Sequence, residues 1–236
     1  MNELVLQNNL YNRVVTIFDE HKTVLLSGSV GRRQIVKKSG LPWLFAKSNF
    51  NEDKVSTEYD RLSIDTYLKA ADYSAFLAKG KVESAKPFFK NATLISADTV
   101  VFNKKLLEKP TTEKEVYDMV LGLNNTIHQV VTAVSIVNCG HKSIEIDMSF
   151  NNSLNEIIVY DKNTFVAVSH VTLTGVTKEH IKKMIETENP YRCSGGFTID
   201  GCLKKHFSIL KGTEDNVVGL PICEILTLLN GTTLVV

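Results

Sequence analysis

The chain has 236 residues, of which 43% are hydrophobic and 22% are charged, and its formal net charge is +1. This length and composition are typical of a globular protein with one large domain or two small ones. The near-zero charge gives no general attraction to nucleic acid or anionic membrane, so any anion site must come from a local cluster of cations.

The cysteines and the apolar stretches exclude further classes of protein. The four cysteines form no CxxC pair, and their spacing matches neither a zinc site nor a disulfide framework. We therefore expect reduced thiols and a cytoplasmic location. We expect no secretory signal in the first residues, and no stretch of about 18 apolar residues predicts a membrane helix.

The first predicted elements enclose a basic turn. Residues 23–26 predict a buried strand and residues 34–38 a short helix, and the segment SGSVGRR between them is small, hydroxyl-rich and basic. Unpaired N–H groups at a helix start, together with the forked donors of Arg32 and Arg33, suit phosphate oxygens. The alternative is a serine that only caps the helix, beside solvated arginines.

The next segments alternate between helical and extended patterns. The helix predictions rest on apolar residues that recur every three or four positions from Leu68 to Val82, and on Thr112 and Glu115 at capping-box spacing. In chain order the pattern predicts a polar loop with room for a short helix, a helix, a strand, a short extended segment and a capped helix: 47–67, 68–82, 92–102, 106–110 and 111–123.

The second half of the chain is richer in strands. β-branched residues predict a strand over 127–137, and residues 141–175 predict two or three more. Within the latter, NTFVAVSHVTLTGV shows the alternation that is typical of a half-buried strand. A helix over 177–188, a glycine-rich turn over 190–201 and a last helix over 216–229 follow. This order predicts an α/β fold with a mixed sheet.

Asp98 is the most conspicuous polar residue, because it interrupts an apolar strand. A buried carboxylate is costly unless it is paired, hydrated or bound to a cation. Asp98 is therefore a candidate metal ligand or general base, and a strand-end turn that donates N–H groups to it is the alternative.

Other candidate residues are weaker when they are taken singly. Lys81 and Lys109 could each meet a phosphate, although isolated lysines are usually solvated. Gly195 and Gly196 permit a close approach to a ligand, and Asp200 can accept N–H bonds from a base edge, but an ordinary glycine turn is the alternative. The P-loop, dinucleotide-binding, HExxH and GxSxG motifs do not occur in the sequence.

Taken in order, these segments resemble the Maf family of nucleoside triphosphate pyrophosphatases. The resemblance covers about residues 24–226, and its most specific part is ADTVV, with Lys109 of EKP eleven residues after Asp98. The other matching features are SGSVGRR, Glu58, Lys81, HQVVTAV, SGGFTIDG and NVVGLP.

The resemblance implies the fold and the reaction. The fold would be one domain over residues 1–236, with a mixed, curved sheet flanked by helices, as in Maf and inosine triphosphatase-like proteins. The reaction would cleave a nucleoside triphosphate between the α and β phosphates, with Mg²⁺ or Mn²⁺ as cofactor, in a house-cleaning role. The implied partners are the nucleotide and a second copy of the chain, without nucleic acid polymer or membrane.

The resemblance also assigns roles to individual residues. Asp98 would activate water and, with Glu58, hold the metal; Glu52 and Asp53 are the alternatives to Glu58. The catalytic assignments are Asp98, Lys81 and Lys109. The substrate-binding assignments are Ser27, Ser29, Gly31, Arg32, Arg33, Thr99 and Asp200.

Three of these residues, Gly31, Thr99 and Asp200, occupy positions at which Maf proteins discriminate bases. Thr99 resembles the branch that acts on dTTP and UTP. Asp200 only accepts hydrogen bonds, which suits guanine, and with Cys193 it resembles the branch that acts on 7-methyl-GTP. We expect pyrimidine substrates. The alternatives are 7-methyl-GTP and a regulatory nucleotide-binding protein without catalysis, since Gly31 and residues 124–126 depart from the family pattern.

Overall fold

The computed structural model of the protein describes residues 16–52, 55, 63–140, 145–146 and 153–230, and every structural statement below concerns these residues. The strands are β1 (Thr16–Leu26), β2 (Leu44–Ala46), β3 (Phe89–Asn103), β4 (Lys105–Leu107), β5 (Ile127–Cys139), β6 (Glu156–Asp161), β7 (Thr164–Leu173) and β8 (Phe207–Lys211). The α-helices with described bounds are α1 (Val30–Lys38), α2 (Tyr67–Ala85), α3 (Glu113–Leu123), α4 (Lys178–Thr187), α5 (Glu214–Val218) and α6 (Ile222–Asn230).

The strands form one mixed sheet with the order β2-β1-β3-β5-β7-β6, in which β4 pairs with β3 and β8 pairs with β7. β1 is parallel to both β2 and β3, whereas the remaining neighbours are antiparallel. The predicted α/β fold with a mixed sheet is confirmed. Within the described ranges, none of the helices combines the length and the apolarity that a bilayer span requires.

Different helices cover the two faces of the sheet centre. On one face, α2 presents small residues such as Ala71 and Ala78, which share a buried cluster with Val131 of β5. On the other face, Val36 of α1 and Ile225 of α6 share a cluster with strand residues. Burial of a valine or isoleucine side chain in these clusters stabilises the fold by about 1.5–3 kcal/mol. The sheet centre is therefore a firm support for polar residues at its edge.

The alternation that predicted a half-buried strand over 163–176 is wrong for most of β7. Residues 164–169 are all fully buried. The reason is that both faces of β7 are covered: Phe165 and Ala167 belong to the cluster of α1 and α6, and Val166 and Val168 belong to the cluster of α2.

The predicted start of α3 is confirmed, although the capping box is only half formed. The Thr112 hydroxyl accepts the Glu115 N–H at 3.2 Å. The Glu115 carboxylate instead accepts the backbone N–H of Thr111 at 2.6 Å and the hydroxyl of that residue at 3.0 Å. Thr112 is thus the N-cap that the pattern predicts, but the reciprocal bond of Glu115 goes to the residue before the cap.

The last predicted helix is two helices. Gly219, with φ +111°, ends α5 in a left-handed conformation, and Pro221 precedes α6. A left-handed glycine ends a helix readily, and proline has no N–H with which to continue one. The break matters for the site, because it exposes the Gly219 carbonyl. Residues 141–144 and 147–152 lie outside the described ranges, and the rest of 141–175 contains β6 and β7.

Candidate active site

A cavity of about 840 Å³ lies beside the carboxyl end of β1. It is lined by residues of the segments 26–32, 47–52, 97–101, 189–200 and 217–218, and by Lys81, Lys109 and Val130. Five cationic and three acidic side chains face it, which gives a local net charge of +2. Its size is that of a small-molecule site, and its charge favours an anion.

The serine-rich turn forms one wall of the cavity. The Ser29 hydroxyl caps α1 by accepting the Arg32 N–H at 3.4 Å, and the Ser27 hydroxyl accepts the Ser29 N–H at 3.1 Å. Arg33 does not line the cavity: its Nε donates to the Ser27 carbonyl at 2.9 Å. The turn therefore has both features that the sequence left as alternatives, a helix cap and a position beside a cationic cavity.

Gly31 is required for the contact between α1 and α5. A Cβ atom at this position would lie 2.8 Å from Cγ1 of Val218, which is too close for a real contact. Both residues line the cavity. A larger residue at position 31 would push α5 outward, so the glycine determines the shape of this wall.

Arg32 joins three elements at the floor of the site. Its guanidinium donates to the carbonyls of Gly219 and Ala97, each at 2.7 Å, and to the Thr99 hydroxyl at 2.8 Å. Burial lowers the pKa of Arg32, and the charges of Asp98 and Glu52 oppose that effect. These contacts show that Arg32 holds α1, β3 and the end of α5 together. Its predicted contact with phosphate stays a prediction.

The Thr99 hydroxyl is fixed by a short relay. It lies 3.0 Å from the Thr132 hydroxyl, which donates to the Asn216 carbonyl at 2.9 Å. Since each hydroxyl has one proton, the Thr99 hydroxyl must donate to Thr132 while it accepts from Arg32. It therefore presents only an acceptor lone pair to a ligand.

Lys81 lies between two carboxylates. Its Nζ donates to Oδ1 of Asp98 at 2.5 Å and lies 3.1 Å from Oε1 of Glu52. Lys81 and Asp98 are each 8% exposed. Burial raises the pKa of Glu52, but the charge of Lys81, with smaller contributions from Lys109 and Arg32, more than offsets this, and the net pKa is lowered.

Among the described residues, Glu52 is the acid that lies beside Lys81 together with Asp98. Glu58 and Asp53 lie outside the described residues. Glu52 reaches the site because Phe50 packs against Gly80 of α2, where a Cβ atom would lie 2.3 Å from the phenyl ring. The glycine lets the 47–52 segment approach the helix next to Lys81. In the sequence, this close approach is indicated by Gly80 directly before Lys81, because the helical pattern alone gives no reason for a glycine there.

The glycine-rich turn forms the opposite wall. Gly195, with φ +77°, donates its N–H to the Glu108 carbonyl at 3.2 Å, and the Ser194 hydroxyl donates to the Thr99 carbonyl at 3.3 Å. Burial raises the pKa of the Cys193 thiol, which disfavours the thiolate that a cysteine nucleophile needs. Lys109 and Asp200 also line the cavity, as do three residues that sequence reasoning missed: Lys47, Tyr191 and Arg192.

The departure from the family pattern at residues 124–126 lies away from this site. The Asn124 side chain donates to the Val176 carbonyl and accepts the Val176 N–H, each at 3.0 Å, and none of the three residues lines the cavity. The unusual turn therefore fastens α3 to the start of α4 and does not by itself argue against catalysis.

The family model described as Maf-like protein matches residues 22–232. The chain belongs to the Maf family. It is 26% identical over 207 residues to a dTTP/UTP pyrophosphatase of Lachnoclostridium phytofermentans, which covers 87% of this chain and 92% of that protein. It is 29% identical over 210 residues to a dTTP/UTP pyrophosphatase of Clostridium botulinum (strain Eklund 17B / Type B), which covers 88% and 97%. The Maf resemblance inferred from the motifs is confirmed.

Proposed function

We propose that this Maf chain is a nucleoside triphosphate pyrophosphatase that releases pyrophosphate and prefers dTTP and UTP. The observation that carries the proposal is the buried Lys81 between Asp98 and Glu52, in the wall of a cavity with net positive charge. The relatives named above support the same reaction and the pyrimidine preference. The family match also supports a single pyrophosphatase domain. A homodimer remains a prediction from the resemblance, and a cytoplasmic location remains a prediction from the cysteines.

In this proposal some residues of the protein transfer a proton and others neutralise the charge of the triphosphate. Asp98 accepts a proton from the attacking water, and Lys81 holds the Asp98 carboxylate in place through its 2.5 Å hydrogen bond. Lys81 and Lys109 neutralise charge on the triphosphate, and the serine turn offers N–H and hydroxyl groups to its oxygens. Arg33 acts through the turn, whose Ser27 carbonyl it binds.

The acids at Lys81 fit a divalent cation that arrives with the nucleotide. Glu52 and Asp98 supply hard carboxylate oxygens on either side of one ammonium group. No group of three potential metal ligands occurs in the described part of the chain, so phosphate oxygens would have to complete the coordination. Magnesium in nucleotide sites is commonly held in this way. When bound, Mg²⁺ or Mn²⁺ would neutralise charge on the phosphates.

The base end of the cavity favours a base with an N–H donor. The Thr99 hydroxyl has only an acceptor to offer, and the carboxylate of Asp200 also only accepts. The N3–H group of uracil or thymine supplies such a donor, whereas N3 of cytosine does not. Guanine also has donors, and the presence of Asp200 and Cys193 in the cavity wall keeps 7-methyl-GTP as the second candidate.

The test is pyrophosphate release from dTTP, UTP, CTP, GTP and 7-methyl-GTP with Mg²⁺ or Mn²⁺. We expect the fastest release from dTTP and UTP, and a loss of roughly 10²–10⁴-fold in Asp98→Asn, because that variant lacks the proton acceptor. Asp118→Asn is the matched control, since Asp118 pairs with Lys114 on the exposed face of α3. Nucleotide binding without release from any substrate would instead support the regulatory alternative.

A further inference from the structure

We propose that Lys47 binds the terminal phosphoryl group of the triphosphate and then the pyrophosphate product. The inference rests on the proposed function and deepens it, since it assigns one end of the cavity to one end of the substrate. Four observations carry it: the strand geometry around Lys47, its place beside the serine turn, its ionic surroundings and the direction of the cavity.

Lys47 follows β2 directly, as Ser27 follows β1. Leu26 pairs with Ala46 at the last position of the parallel β1–β2 pair. The chain therefore leaves both strands side by side, and the two following residues lie at the same edge of the sheet. Ligands in α/β proteins commonly bind at the carboxyl ends of parallel strands.

The Lys47 side chain runs beside the serine turn. Its Cε atom lies 3.5 Å from the place that a Cβ atom on Gly28 would occupy, and both residues line the cavity. The last carbon of the lysine side chain therefore lies next to the turn at Gly28. An anion held by the turn would therefore meet the Lys47 ammonium.

The Lys47 charge is available to a ligand. Two other cations of the cavity already have partners among the described residues. Lys81 pairs with two carboxylates within 4 Å, and Arg32 donates to three protein acceptors. In the same part of the chain, no carboxylate lies within ion-pair distance of Lys47. A cation in this situation can pair with phosphate without first giving up an acid.

The sheet order indicates which phosphate Lys47 would meet. The glycine-rich turn lies against β3, where a Cβ atom on Gly195 would be 3.3 Å from Cγ2 of Val101. Lys47 follows β2, two strands away, which corresponds to about 10 Å at the usual strand spacing. A nucleotide with its base at the glycine-rich turn would thus extend its phosphates past Asp98 toward Lys47. The group farthest from the base is the terminal phosphoryl group.

The experiment compares Lys47→Met with Lys47→Arg and with Lys90→Met, a matched control at an exposed lysine of β3 that does not line the cavity. The measurements are kcat and KM with UTP, and the Kd values of UDP and of pyrophosphate with Mg²⁺ by calorimetry. For Lys47→Met we expect about a tenfold rise in the KM of UTP and in the Kd of pyrophosphate, the size of one charged hydrogen bond. The kcat with UTP and the Kd of UDP should change less than threefold, and Lys47→Arg should restore both lost affinities.

An unchanged Kd of pyrophosphate in Lys47→Met, or equal losses with UTP and UDP, would overturn the proposal. The pyrophosphate titration does not depend on turnover. A wild-type protein that releases no pyrophosphate, but binds it through Lys47, would refute the proposed function and support the phosphate site. If the wild-type protein and all three variants turn over UTP equally well, with the same KM, the phosphate site at Lys47 alone would be refuted.

Discussion

His128 should make the protein less stable as the pH falls below 6.5. The imidazole is fully buried in β5, and its Nδ1 lies 3.4 Å from the Thr126 carbonyl. Its Nε2 has no hydrogen-bond partner among the described residues. Burial lowers the pKa of His128 from 6.5 to about 4. The folded protein therefore keeps this imidazole neutral over a range in which the unfolded chain protonates it.

The size of the effect follows from proton linkage. Between pH 6.5 and 4 the unfolded chain binds the additional proton, so the free energy of unfolding decreases as the pH falls. At about 1.4 kcal/mol for each pKa unit, the full loss is about 3 kcal/mol. About 2 kcal/mol of this should already be lost at pH 5.

The assay is urea denaturation of the wild-type protein and of His128→Leu at pH 8 and pH 5. The leucine has a similar volume and no titrating group, so the wild-type protein should lose about 2 kcal/mol more than the variant between the two pH values. The comparison uses this difference, because the leucine also changes packing against Phe197, whose ring lies edge-on to the imidazole at 6.4 Å. Equal losses in the two proteins, or an NMR titration of His128 with a midpoint at or above pH 6, would refute the reasoning.

Two further substitutions test how the site is held together. Thr132→Val removes the hydroxyl that contacts Thr99 and the Asn216 carbonyl, so kcat/KM for UTP should fall about tenfold, whereas Thr132→Ser should retain most of it; equal activity of the two variants would contradict the relay. Gly80→Ala places a methyl group 2.3 Å from the Phe50 ring, so pyrophosphate release should fall at least about tenfold and recover in part with Phe50→Leu added. Gly122→Ala, with open space around it in α3, is the control and should be neutral or stabilising by up to about 1 kcal/mol; an equally active Gly80→Ala protein would argue against the packing role.

Elements whose ends are determined by residues close in the sequence could be predicted from the sequence. Helices α3 and α4 begin with Thr112 and Thr177, whose hydroxyls cap them as short-range chemistry requires. Burial of β7 could not be predicted in the same way, because it depends on helices from distant parts of the chain that cover both faces of the sheet. Gly219 and Pro221 are the residues in the sequence that indicate the break between α5 and α6. The apolar pattern continues across them, and it led to the prediction of one helix.

In the site, too, local patterns could be predicted and contacts between distant parts of the chain could not. Asp98 and Lys81 were both predicted as site residues, and the structure joins them by a direct hydrogen bond. The sequence assigned the second acid to Glu58, with Glu52 and Asp53 as alternatives, because the polar loop offers several acids and no periodicity to separate them. Glu58 lies outside the described residues, so that assignment stays a prediction. The packing of the Phe50 ring on Gly80, which brings Glu52 to Lys81, is a tertiary contact that the loop sequence does not indicate. The three acceptors of Arg32 include Gly219, 187 residues away, and no local pattern reports such a contact.

The parallel pairing of β1 with β3 has a consequence for the order in which the protein folds. β3, β5 and β7 are antiparallel neighbours, whereas β1 joins β3 only through pairs such as Thr16 with Phe89, far apart along the chain. Contacts with long separations carry a large loop-closure cost and form slowly. The serine turn reaches Asp98 only after this step, so the active site is assembled late. We expect β1 and the serine turn to detach first under mild denaturation, so that activity is lost while most of the sheet is intact.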